Sequence, residues 1–173
     1  MSDFLPEGYE APKSNANYLR LEDGENKFRI MSKPIIGWLD WKDKKPYRFP
    51  MDSKPSAPFD PKQKVKHFWA FIVWDYSSSS IKILEITQAT IQGAITNLTK
   101  DADWGSPFSY DIKIVKTGSS LETQYSVNPV PHKKLPEEIK QAFKDKPCSL
   151  EALYAGEDPF AVTSETIIDD LPF

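Results

Sequence analysis

Two stretches of the chain interleave aromatic rings with cationic side chains. In the first, Trp38, Trp41, Tyr47 and Phe49 alternate with Lys33, Lys42, Lys44, Lys45 and Arg48; in the second, Lys64 and Lys66 lead into Phe68, Trp69, Phe71, Trp74 and Tyr76. Rings offer flat faces on which unpaired bases stack, and cationic groups neutralise phosphates, so the pattern carries the chemistry of single-stranded nucleic-acid binding. Stacking contributes roughly 1 to 3 kcal/mol per base, so a few such rings suffice. The same rings could instead fill a core, with the lysines as its solvated face. Phe28, Phe71 and Tyr125 sit on clean alternating faces and read as core. For Trp38, Trp41 and Tyr47 both readings stand, because they enter a proline-rich stretch too polar to bury all of them. Alternation sends Lys66, Phe68 and Trp74 to one face and Trp69 and Phe71 to the other, without saying which is inward.

Catalytic chemistry has little to stand on. His67 lies within a strand pattern and His132 beside lysines, Asp101 and Asp103 fall in a helix-ending loop, and Glu137 and Glu138 occupy a first helical turn, where the macrodipole favours acids. There is no Gly-rich phosphate loop, nucleophile elbow or HExxH motif. The single Cys148 excludes an internal disulfide and a cysteine-rich zinc site. The expectation is a protein that is not an enzyme and holds no metal or cofactor.

The elements that position these residues fit one domain with extensions in a chain of 173 residues. Net charge is -3, but it is unevenly spread: residues 13–66 carry thirteen Lys and Arg against seven acids, including Arg29 and Lys33, whereas no Lys or Arg follows Lys146 and six acids do. The first residues lack the basic and apolar runs of a secretory signal, and no window approaches a membrane span, so the cytoplasm is the expected compartment.

Residues 1–17 read as an arm. Lys27–Met31 alternates as a strand with a wet face carrying Lys27 and Arg29, and Gly24 marks a turn between it and the extended Tyr18–Leu21. Ile35–Trp41 is a further strand, or the same one resumed after Pro34. Residues 42–64, with five prolines among lysines, predict a long irregular loop. Val65–Tyr76 and Ile81–Ile86 form a hairpin, Thr87 caps a helix through Ile91, Ile95 and Leu98, and Asp111–Lys116 with Gln124–Val127 form a second hairpin. Pro136 opens a helix with Ile139 and Phe143, and Ser149 caps a shorter one. The expected fold is mainly β: a five-stranded OB-fold (Greek-key) barrel with a helix between strands 3 and 4. It spans residues 18–155, with short C-terminal helices, and a flexible acidic tail follows over 156–173.

Lys66–Asp75, followed by Ile81–Leu84 and a helix, resembles the barrel centre of the T-even phage helix-destabilising proteins. Gly24–Ile30 with Pro34–Trp38 is similar to phage single-stranded DNA-binding proteins. The resemblance covers about residues 18–131 and implies that Phe68 and Trp69 take the place of an aromatic pair near the DNA groove. It does not extend to the zinc module, since 42–64 holds neither Cys nor His, or to the basic N-terminal arm, which here carries Asp3, Glu7 and Glu10. The terminal Asp169-Asp170-Leu171-Pro172-Phe173 resembles the acidic tip of bacterial single-stranded DNA-binding proteins, which docks replication and repair enzymes. An acidic segment can also compete with DNA for a basic groove.

The function these readings lead to is sequence-tolerant binding and protection of single-stranded DNA in phage replication, recombination and repair. The protein is expected to act as a monomer in the infected bacterial host, with the tip recruiting replication proteins. The alternative is a non-catalytic adaptor whose barrel binds another protein.

Overall fold

The computed structural model describes residues 17–161. The fold is mainly β, with seven antiparallel strands, β1 (Gly24–Ile30), β2 (Ile35–Lys42), β3 (Lys45–Pro50), β4 (Lys66–Asp75), β5 (Ser80–Ile86), β6 (Asp111–Thr117) and β7 (Gln124–Pro129), and two α-helices, α1 (Ala89–Lys100) and α2 (Glu137–Asp145). The sheet is open, in the order β3-β2-β4-β1-β6-β7, with β5 on β4 off this path.

From Phe68 to Trp74 β4 is apolar at every position, as a strand covered on both faces requires. Trp69, Phe71 and Val73 join Phe28, Ile30, Ile112 and Ile114 in one core, over which α1 lays Ile91, Ile95 and Leu98. Phe68, Ala70 and Ile72 point the other way, into cores closed by Leu135 and Ile139 of the α2 region and by Leu153 of a 3₁₀ helix at Leu150–Ala155. The question of which of Phe68 and Trp69 is inward therefore has a two-sided answer. Phe68 is fully buried. Trp69 is half-buried.

Two features correct the expected five strands to seven. β1 and β2 run along β4 in succession, Phe28–Ile30 opposite Asp75–Val73 and Ile35–Leu39 opposite Ala70–Lys66, and Pro34 lies in the break between them. The second is β3, inside the stretch expected to be irregular. It pairs with β2 from Lys42↔Lys45 to Gly37↔Pro50 across a two-residue turn, Asp43-Lys44, both of whose residues have positive φ (52° and 64°). Counting from this turn, Pro46 and Pro50 fall opposite β2 at positions where the N–H faces away from the neighbour, so neither removes a ladder bond. Gly37 permits the pairing: a Cβ there would lie 2.0 Å from the Phe49 carbonyl oxygen.

Smaller corrections follow. Tyr18–Leu21 contributes only a bridge, Tyr18↔Ile83, with Leu19 N–H donating to Ile83 O (2.9 Å) and Ile83 N–H to Asn17 O (2.8 Å), which covers the edge of β5. The residue at the start of α1 is Gln88 rather than Thr87, and Ser149 precedes its 3₁₀ helix without a side-chain cap bond. α2 follows Pro136 as expected. Most of the N-terminal arm and most of the tail, including Asp169–Phe173, lie outside the described residues.

Candidate nucleic-acid interface

Strand register decides which rings share a surface. Trp38 stands opposite both Phe49 and His67, Asp40 opposite Tyr47, Lys42 opposite Lys45, and Ile36 opposite Trp69. Paired residues project to the same side, and alternate residues along a strand share it, so one face of β2–β3–β4 carries Trp38, Tyr47, Phe49 and Trp69 with Lys42 and Lys45. This face continues the α1-covered core outward beyond the helix. Trp38 and His67 rings lie 5.3 Å apart, and His67 Nδ1 donates to the Gly37 carbonyl (2.8 Å). Both observations make His67 a structural support of the face.

The segment after β3 folds back over this surface. Phe59, 47% exposed, sets its ring 5.3 Å from Tyr47 and 6.4 Å from Phe49. Trp38 Nε1–H donates to the Met51 carbonyl (3.0 Å). The anchor is Asp40, buried to 1% exposure, whose carboxylate accepts the N–H of Phe59 (2.8 Å), the N–H of Trp41 (2.9 Å) and Nε2–H of Gln63 (3.0 Å). Gln63 also donates to the Trp41 carbonyl. A buried carboxylate with three N–H donors fixes a loop whose composition alone leaves it free.

Three ammonium groups lie over rings of this cluster: Lys54 over Trp38 (4.5 Å), Lys42 over Phe59 (5.6 Å) and Lys45 over Tyr47 (5.7 Å). All three lysines are exposed. The arrangement offers flat π-surfaces edged by mobile positive charge, which suits a ligand with exposed aromatic rings on an anionic backbone.

The other residues proposed from sequence divide cleanly. Lys33, Lys44, Lys64 and Lys66 are exposed, Lys66 and the 42%-exposed Trp41 on the reverse side of the hairpin. Arg48 also lies on the reverse side, its Nε 2.6 Å from a carboxylate oxygen of Glu85, with 9% of its side chain exposed. Phe68 is packed edge-on against Tyr154. Trp74 packs on the α2 side, and Tyr76 donates to Asp111 (2.8 Å) beneath Lys27. Burial and this hydrogen bond raise the Tyr76 hydroxyl's pKa well above that of an ordinary tyrosine.

Arg29 is the clearest correction. Expected on a wet face, it is 1% exposed, donating to Asp111 (2.7 Å) and to the carbonyls of Phe108 and Lys133 (3.0 Å each). It holds two connecting segments against β1 and is not presented to a ligand. Phe28 and Phe71 are core as expected, and Tyr125 packs against the same core. Phe59, Asp40 and Lys54 were not among the sequence-derived site residues. The available signals were a ring flanked by Pro58 and Pro61 and an acid set between two tryptophans.

The chain is similar to a protein of Escherichia phage T5. Over 74 residues, 43% of this chain and 27% of that protein, the two are 34% identical, and the T5 protein is named "Probable ssDNA-binding protein". The chain thus spans well under two thirds of that relative's length. No family model matches, and no solved structure matches. No helix among the described residues is long and apolar enough to cross a membrane.

Proposed function

We propose that the protein binds single-stranded DNA with little sequence preference, on the face formed by β2, β3 and β4. The observation that carries the reading is the convergence of Trp38, Tyr47, Phe49, Phe59 and Trp69 on one side of the sheet, with Lys42, Lys45 and Lys54 over or beside their rings. Bases stack on these rings and phosphates meet the lysines. In the unliganded protein Lys54 caps Trp38; a base arriving there displaces the ammonium, which swings to a phosphate on its flexible stem at small cost. The name of the T5 relative supports the same ligand.

The fold reading that goes with this function is a five-stranded OB-type barrel in which β1 and β2 act as one bent strand and β3 is an addition, with α1 between β5 and β6. We extend the proposal to a non-catalytic protein, monomeric and cytoplasmic in a phage-infected host, serving replication, recombination and repair. Its tip Asp169–Phe173 would recruit replication proteins.

The test is titration of intrinsic tryptophan fluorescence with oligo-dT across a salt series. Quenching is expected, with log affinity falling linearly with log salt by about 0.7 per phosphate contact. The charge reversals Lys42→Glu and Lys45→Glu should weaken binding and flatten that slope. Absence of both quenching and a gel shift at low salt sinks the reading.

A further inference from the structure

Beyond Trp69 the aromatic face runs into an open cleft of about 150 Å³ between the β1–β2 break, β4 and α1. Its walls are Ile30, Pro34, Trp69, Phe71, Ile95 and Phe108, with the hydroxyls of Ser32, Thr96 and Thr99 at its lining. We propose that this cleft receives one pyrimidine base of the bound strand, so that the DNA track does not end at the β2–β3 hairpin. This inference rests on the single-stranded DNA reading above.

Size selects the class of base. An apolar cavity of ~150 Å³ accommodates a benzene-sized ring, so a six-membered pyrimidine fits while a bicyclic purine protrudes. Three aromatic walls provide the stacking and edge contacts that bases use. The hydroxyls of the lining are already engaged within the protein. Thr96 Oγ1–H is donated to Gln92 O (2.7 Å), Thr99 Oγ1–H to Thr96 O (2.7 Å) and Ser32 Oγ–H to Lys33 O (3.1 Å). Ser32 Oγ in turn accepts the Ile72 N–H (2.9 Å). With the hydroxyls satisfied within the protein, the cleft's lining is almost wholly apolar, so shape and ring contacts, not hydrogen bonds, hold the base.

The cleft is continuous with the proposed interface. Ile36, 41% exposed, stands opposite Trp69 and next but one to Trp38, and Lys33 is exposed at the other rim beside Pro34, where a phosphate following the inserted base would pass. Its far wall is held in advance: Arg29, itself fixed by Asp111, grips the Phe108 carbonyl. Little ordering is left for the moment of binding.

The experiment compares affinities for dT, dC and dA oligomers of equal length in the wild type and in two variants that fill the cleft, Thr96→Phe inside it and Thr99→Trp at its exposed rim, each checked for folding by circular dichroism. Wild type should favour the pyrimidine strands. Each folded variant should lose affinity for dT and dC by about 5- to 150-fold, the equivalent of one stacked base, while its dA affinity changes far less. A dT to dA ratio identical in wild type and in the folded variants overturns the pocket but leaves the hairpin interface standing. Failure of the wild type to bind any oligomer at low salt overturns both. The second variant keeps the test decisive should the first not fold.

Discussion

Replacing Asp40 by Asn probes the anchor on which the interface depends. The carboxylate receives Phe59 N–H on one oxygen and Trp41 N–H and Gln63 Nε2–H on the other. An asparagine retains one oxygen; its better orientation keeps the two-donor side and turns its NH₂ toward Phe59 N–H. One charge-assisted bond is then lost, two donors face each other and the remaining bonds weaken. Hydrogen bonds to a charged group contribute about 1.5 to 3 kcal/mol each, so the loop over residues 51–65 should be destabilised by roughly 2 to 3 kcal/mol relative to its seated form. If the loop opens locally, its open population rises about 30- to 150-fold. Trypsin reads this directly, because Lys62 and Lys64 lie in the segment and neither is followed by proline. Cleavage in the loop should accelerate by that factor while the urea midpoint of the remaining domain moves much less. Oligo-dT affinity should fall as well, since Phe59 would no longer be held against Tyr47. Loop cleavage within twofold of wild type would refute the anchoring role, whatever the effect on DNA.

Three further outcomes follow from other parts of the fold. Lys44→Gly relieves a non-glycine residue held at φ 64° and should stabilise the β2–β3 hairpin by about 1 kcal/mol, read as a higher urea midpoint. Gly37→Ala forces a Cβ onto the Phe49 carbonyl oxygen and should detach β3; a near-wild-type melting temperature with intact oligo-dT binding would contradict this. Burial pushes the Cys148 thiol up to about 12 from its ordinary 9.0. Iodoacetamide at pH 8.5 should therefore label the native protein two to three orders of magnitude more slowly than the urea-unfolded chain. Because the folded state holds this proton more tightly, stability should decline as pH rises above 9 toward 12, and unchanged stability across that window in a urea titration would count against the burial.

Much of the frame was legible because burial in β-structure leaves a period of two. β1, β4, β5, β6 and β7, and the helical spacing of Ile91, Ile95 and Leu98, follow from pattern. β3 did not, since prolines at 46 and 50 argue against a strand unless the turn before them is known, and Asp43-Lys44 lacks the glycine that usually marks such a turn. Recognising that turn is enough to derive the register, and with it the shared face of Trp38, Tyr47 and Phe49. Arg29 was misplaced for a different reason. Alternation tells which side of a strand a residue takes, not whether another part of the chain covers that side, and its partners Asp111, Phe108 and Lys133 lie about 80 or more positions away. The same limit hid Arg48, whose carboxylate partner is 37 residues on. Trp38 and Tyr47 stood between core and surface, and they are both: packed from beside and capped above by the exposed lysines Lys54 and Lys45.

The prolines of β3 have a consequence for how the protein behaves in concentrated solution. A sheet edge edged with exposed rings is ordinarily a template on which a second molecule's strand can grow. At the outward positions of β3, however, Pro46 and Pro50 have no amide hydrogen, and only Arg48 between them offers one. A ladder started there lacks two of its three donors and is correspondingly weak. The edge strand that carries Tyr47 and Phe49 is thereby a poor template for its own kind, so the rings can stay available to a ligand without making the protein prone to aggregate.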